Sequence, residues 1–94
     1  MLKISEISLS EEAAKLRLEG EMIGQNVLEA RQALKSFLAA GIRLTLDVTD
    51  LLFADRDGIA FLQELAGLRV EFINCSPFLS EQLKEAVRKT GGTR

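Results

Sequence analysis

The side chains best suited to chemistry in this sequence lie in one short segment, Asp55-Arg56-Asp57-Gly58, which follows the apolar run 51–54. The apolar run predicts the end of a buried strand, and the two acids predict the start of a helix. Backbone N–H groups at a helix start have no partner within the helix, so they face whatever binds there. We therefore predict that these four residues form a surface for a ligand or a partner.

Asp57 has two interpretations that the sequence leaves open. Aspartate is among the best helix N-caps, with a typical contribution of about 1 kcal/mol, and its charge suits a helix start. The same carboxylate could also contact a binding partner. Arg56 should project from the turn, where it either pairs with Asp55 or Asp50 or contacts that partner.

The composition argues against most kinds of catalysis. The 94 residues include no histidine, which removes the commonest general base and zinc ligand. No P-loop or Gly-x-Gly-x-x-Gly pattern is present, and the acids beside Gly58 would repel a phosphate. Four acids lie close together in this part of the sequence: Asp47, Asp50, Asp55 and Asp57. They could supply oxygen ligands for Mg²⁺, but acids in such positions more often cap helices and turns. We predict no catalytic residue, no cofactor and no metal.

Charge and hydropathy restrict the partners. Twelve basic and 14 acidic residues give a net charge of -2, without the basic cluster that binding to nucleic acid requires. No apolar run is long enough for membrane insertion. The single cysteine, Cys75, cannot form an internal disulfide, and the N-terminal residues lack the apolar run of a signal peptide, so we expect a cytoplasmic protein.

Hydrophobic periodicity predicts four strands. Alternation over residues 2–9 shifts phase at Ser5-Glu6, which indicates either a strand with a bulge or two short extended pieces, at the edge of a sheet. A second alternating strand ends at Gly20 and forms a hairpin with the first. Residues 42–54 form the central strand. Residues 68–73 form a short strand with few polar residues, and we therefore expect both of its faces to be covered.

Three amphipathic segments predict helices, each with a start signal and a terminating glycine. These are a helix at about 26 to 40, with Asn26 and Glu29 as a capping box before Gly41, a helix from near Asp57 to Gly67, and a helix from Ser76-Pro77 to Gly91-Gly92. Four phenylalanines fall at predicted core positions: Phe53, Phe61, Phe72 and Phe78. Strands separated by such helices predict an α/β domain with parallel pairing.

The order of elements and the turn at residues 55–58 together resemble the STAS domain, the fold of bacterial anti-sigma factor antagonists and of the cytoplasmic tails of sulfate transporters. The resemblance covers most of the chain and rests on Gly20, Leu46-Asp47-Val48 with the apolar residues 51–53, the acid-x-x-Gly turn, and Asn74-x-Ser76-Pro77. It implies one small STAS-like domain over residues 1–94, with a mixed sheet of about four strands and three helices. We expect residues 91–94 to be a frayed tail.

The sequence departs from this family at the residue before Gly58. Phosphorylatable members have Asp-Ser-Ser/Thr-Gly in this turn, and the anti-sigma factor, acting as a serine kinase, phosphorylates the residue before the glycine. Here that residue is Asp57, which forms no stable phosphate ester. Its permanent single charge stands where a phosphoserine would bring about -1.5 to -2. The domain is then either fixed in a phospho-like state or suited to a partner that expects an acid.

A second departure is length. Family members usually continue with a further strand and helix beyond Lys89, and we expect this domain to lack them. An uncovered sheet edge is therefore predicted to be bare or to be covered by a second copy in a homodimer or by another protein.

The resemblance implies a non-catalytic, protein-binding module of bacterial signalling and transcription regulation. It would dock through Asp55, Arg56, Asp57 and Gly58 onto an anti-sigma factor or a serine kinase-like protein. One alternative is an accessory subunit of a transporter ATPase. Another is a domain that binds a small ligand or a nucleotide at the start of the second helix.

Overall fold

The computed structural model describes residues 1–83, which form a mixed four-stranded sheet with helices against one face. The elements follow the chain as β1 (Leu2–Leu9), β2 (Ala13–Met22), α1 (Gly24–Ala39), β3 (Arg43–Ala54), α2 (Arg56–Gly67) and β4 (Glu71–Ile73). A third helix, α3, begins at Pro77 and is described over residues 77–83. The predicted α/β class with four strands and three helices is confirmed.

The sheet has the order β1-β2-β3-β4. The hairpin of β1 and β2 is antiparallel, whereas β2 pairs with β3, and β3 with β4, in parallel. The predicted bulge in β1 is confirmed, because its register with β2 shifts between Glu6 and Ser8. The parallel pairs place the carboxyl ends of β2 and β3 side by side, and the starts of α1 and α2 follow directly from them.

The hydrophobic core lies between one face of the sheet and the helices. Alternate residues of β2 and β3 point into it, and the buried residues of α1, α2 and α3 close it from the other side. Its largest fully buried side chains are Leu18, Met22, Leu34, Leu44, Leu46, Val48, Phe61, Leu62 and Leu65. The opposite face of β2 and β3 carries Lys15, Arg17, Glu19, Thr45 and Asp47, and is polar apart from its edges.

The start of α1 differs from the prediction. The helix begins at Gly24, and its N-cap residue is Ile23, which makes no side-chain cap hydrogen bond. Asn26 lies inside the first turn, where its Nδ2 donates 3.0 Å to the carbonyl oxygen of Glu21. The capping-box prediction was wrong because this amide binds the end of β2 instead. The predicted left-handed glycine after the helix is confirmed, with φ of 72° at Gly41.

Two predictions about burial were wrong. Glu71 of β4 is exposed, so the faces of this strand are not both covered within residues 1–83. Phe61 is buried and Phe72 is half-buried, but Phe53 and Phe78 are exposed. Phe53 and Phe78 lie at the ends of elements, where alternation no longer decides which way a side chain points. This position explains why they are exposed.

The third helix begins as predicted. The Oγ of Ser76 accepts a hydrogen bond of 3.1 Å from the backbone N–H of Leu79, and Pro77 occupies the first helical position. The predicted end of this helix at Gly91-Gly92 and the predicted frayed tail at 91–94 lie outside the described residues. Within residues 1–83, no helix has the length and apolar character needed to cross a bilayer.

Candidate docking site at the start of the second helix

Asp55, and not Asp57, caps the second helix. Asp55 has extended backbone angles, and its Oδ1 accepts a hydrogen bond of 2.8 Å from the backbone N–H of Gly58. This is the usual N-cap spacing, in which the side chain binds the N–H three residues later. Asp57 lies in the first turn, so the prediction that it is the cap was wrong. Both acids suit a helix start, but β3 ends at Ala54 and leaves the cap position to Asp55.

The same carboxylate holds the start of α1. Its Oδ2 accepts a hydrogen bond of 3.1 Å from the backbone N–H of Gly24, 31 residues earlier in the chain. The backbone N–H of Asp55 in turn donates 3.2 Å to the carbonyl oxygen of Met22 at the end of β2. One residue therefore joins the starts of both helices to the end of a central strand. Sequence reasoning missed this role, because no local pattern links residues 24 and 55.

Gly58 is required by a close backbone contact. A Cβ atom at this position would lie 1.9 Å from the carbonyl oxygen of Met22, well inside van der Waals contact. The first turn of α2 therefore packs directly on the end of β2, and a larger residue would push them apart. This contact explains the glycine of the acid-x-x-Gly turn as a packing requirement.

Asp57 and Arg56 project from the turn into solvent. Both side chains are exposed. Arg56 forms no ion pair with another residue of the described range 1–83. Within this range, the predicted pairs with Asp50 and Asp55 are therefore not formed. The turn thus exposes the charged groups of Asp57 and Arg56 to solvent, whereas Asp55 and Gly58 make structural contacts with the end of β2 and the start of α1.

Asp57 also lines an open groove of 340 Å³ between α1 and α2. The groove is bounded by Gly24, Val27, Leu28, Arg31, Asp57, Ala60, Phe61 and Glu64. Across it, Nη1 of Arg31 donates 2.7 Å to Oε2 of Glu64, and Nη2 donates 3.1 Å to Oε1. These bonds hold the pKa of Glu64 below its ordinary value. The guanidinium also lies 4.9 Å from the centre of the Phe61 ring.

Two large apolar side chains are exposed just before the turn. Leu52 is 76% exposed and Phe53 is 44% exposed. The short β4 pairs only with residues 45–47 of β3, so no described strand covers the β4 side of β3 from residue 48 onward. Adjacent apolar side chains left in water beside a charged turn are typical of protein-binding surfaces.

Asp47 is separate from this site and has a structural role. It is a buried acid on the polar face of β3, where its Oδ1 accepts hydrogen bonds from the backbone N–H and the hydroxyl of Thr49. Asn74 donates a further bond of 3.3 Å, and Arg17 lies 3.7 Å from Oδ2. The Thr49 bonds, supported by those of Asn74 and Arg17, lower the pKa of Asp47 to about 2.

The four acids considered as a magnesium site do not converge. Asp47 accepts hydrogen bonds from Thr49 and Asn74, and Asp55 is occupied by two backbone N–H groups. In the described part of the chain, no three acidic or cysteine side chains come together as metal ligands.

The arrangement of the strands and of α2 on its acid-x-x-Gly turn is that of a STAS-like domain, as the sequence predicted. The anti-sigma factor antagonist SpoIIAA, solved in its unphosphorylated form, is similar in fold with a TM-score of 0.67. At 18% sequence identity, the similarity covers 96% of this chain and 99% of SpoIIAA.

A second solved structure has the same fold. It is an uncharacterized protein of the DUF3478 family from Shewanella loihica with a SpoIIAA-like fold, and it gives a TM-score of 0.55 at 18% identity. The similarity covers 95% of this chain and 78% of that protein. No protein-family model matches the sequence, and no curated protein matches it. At this level of identity, the two structures identify the fold alone.

Proposed function

We propose that this protein is a non-catalytic regulatory module that binds another protein through the surface around residues 53–58. The observation that carries the proposal is the exposure of Asp57 in the first turn of α2, directly before Gly58. This acid makes no hydrogen bond within residues 1–83 that would explain it as a structural residue. The exposed side chains of Leu52 and Phe53 precede the same turn and add apolar area.

The proposal includes a permanent charge at the docking surface. Serine phosphorylation cannot switch this position, because Asp57 has no hydroxyl group to modify. The helix start favours a negative charge at this position. The partner is accordingly one that recognises a carboxylate at this position, whose charge does not depend on phosphorylation.

The fold indicates which classes of partner to consider. SpoIIAA is an anti-sigma factor antagonist, so an anti-sigma factor or a serine kinase-like protein of the cytoplasm is the first candidate. An accessory role on a transporter ATPase is the alternative, and the identity of the bound protein distinguishes the two.

Affinity capture with the full-length chain tests the proposal. We expect the wild-type protein to recover an ATP-binding protein from its native host, and Asp57→Ala to recover less of it. Glu11→Ala is the matched control, because Glu11 is an exposed acid in the turn between β1 and β2. Equal recovery by wild type and Asp57→Ala would count against the docking site, and recovery of only the bait would count against the function.

A further inference from the structure

The groove between α1 and α2 contains an exposed apolar residue that lies outside the docking surface proposed at residues 53–58. Leu28 of α1 is 60% exposed and lines the groove together with Ala60 of α2. Below them, Val27 and Phe61 are buried and form an apolar floor. The groove is open to solvent, and these apolar side chains share it with the Arg31–Glu64 ion pair, whose guanidinium lies over the Phe61 ring.

The charges around this groove leave one acid unpaired. Arg31 and Glu64 neutralise each other through two hydrogen bonds and occupy one part of the rim. Asp57 is the remaining charged residue of the lining, and it forms no ion pair within residues 1–83. At the end where α2 begins, an occupant therefore meets the apolar side chains of Leu28 and Ala60 beside a single unpaired negative charge.

The size of the groove suits side chains better than a whole ligand. Its 340 Å³ is near the lower limit of roughly 300 to 1,000 Å³ for small-molecule pockets. A trough between two helices is also the shape that accepts the apolar face of a third helix. A basic residue on that helix would gain from Asp57, and an acidic one would be repelled.

We infer that this groove receives one apolar side chain from a helix of the protein partner, with a lysine or arginine one turn away beside Asp57. The inference rests on the proposed function, and it extends the docking surface from residues 53–58 to Leu28 on α1. It also specifies the chemistry of the partner, which is a helix carrying an apolar anchor and a base.

Helical peptides test this chemistry without knowledge of the partner. The probe is an alanine-based helix with leucine and lysine about four residues apart, which places both on one face. Titrated into the isotope-labelled full chain, it should shift the amide NMR signals of Gly24, Leu28 and Ala60 in a saturable way. Exchanging its lysine for glutamate should weaken binding about two- to tenfold. Exchanging its leucine for alanine should weaken binding about tenfold.

Variants of the protein complete the test. Leu28→Ala should reduce binding of the leucine-lysine peptide, whereas Leu68→Ala should not, because Leu68 is similarly exposed at 56% but lies beyond the far end of α2. Asp57→Lys should reverse the preference in favour of the glutamate peptide. Absence of saturable shifts at the groove, equal binding of both peptides, or equal effects of the two leucine variants would overturn the inference.

The captured partner separates this inference from the proposed function. A partner whose binding depends on Asp57 but not on Leu28 would contradict the groove and leave the docking surface in place. Reduced binding to both Leu28→Ala and Asp57→Ala would support the groove. A partner that is insensitive to both changes would contradict both proposals.

Discussion

Asp55→Ala should be the most informative change in the described part of the chain, because this side chain holds two helix starts at once. It removes the cap bond to Gly58 and the bond to Gly24, which are 2.8 and 3.1 Å long. Loss of an N-cap costs about 1 kcal/mol, and a second hydrogen bond contributes about 0.5 to 1.5 kcal/mol. The free energy of unfolding should therefore fall by about 2 kcal/mol.

Thermal and urea unfolding of the full chain measure this loss. For a domain of this size, 2 kcal/mol corresponds to a fall in Tm of about 8 to 16 °C. Asp55→Asn separates the two bonds, because an asparagine oxygen can still cap Gly58 while its amide nitrogen cannot accept from Gly24. We expect Asn to cost about half as much as Ala.

Asp57→Ala is the control for this prediction. Asp57 is an exposed first-turn acid whose contribution comes only from the helix dipole, about 0.3 to 1 kcal/mol. If Asp57→Ala destabilised the protein as much as Asp55→Ala, the assignment of the cap to Asp55 would be wrong.

Three further changes test other contacts. Gly58→Ala should cost about 1 to 3 kcal/mol in urea unfolding, because its Cβ would lie 1.9 Å from the oxygen of Met22; no loss would contradict this close contact. The lowered pKa of Asp47 means that its charge stabilises the fold above the ordinary value of 3.8, and that this stabilisation is lost as the pH falls toward about 2. Unfolding of Asp47→Asn over this range should show a weaker dependence on pH than the wild type, and an unchanged dependence would refute the assignment. Arg31→Gln should leave the Tm nearly unchanged, because its pair with Glu64 is half-exposed and such surface pairs contribute little, and a clear fall in Tm would show that the pair has a structural role.

Periodicity in the sequence was sufficient to predict the architecture. Strict alternation from Ile42 to Val48 defined the central strand, and the phase shift at Ser5-Glu6 located the bulge in β1. These signals are strong because burial of one face of a strand requires apolar residues at every second position. Burial of one face of a helix requires them at a spacing of three to four residues. Ser76-Pro77 predicted the start of α3 for the same local reason, since a cap and a proline act within one turn.

The details of the site depended on contacts that periodicity does not encode. Asp55 and Asp57 are both good caps by residue type, and the choice between them depends on where β3 ends. The bond from Gly24 to Asp55 joins residues far apart in sequence, so no local pattern could predict it. The capping-box prediction at Asn26 failed for a related reason, because a tertiary acceptor at the end of β2 binds its amide.

The affinity of the purified captured partner for wild type, Asp57→Ser and Asp57→Ala, measured by calorimetry, tests the central claim most directly. The account predicts that both variants bind more weakly by about two- to tenfold, because each removes the permanent charge from the docking surface while the cap at Asp55 remains intact. Equal affinities for all three proteins would contradict the claim that Asp57 is a recognition residue.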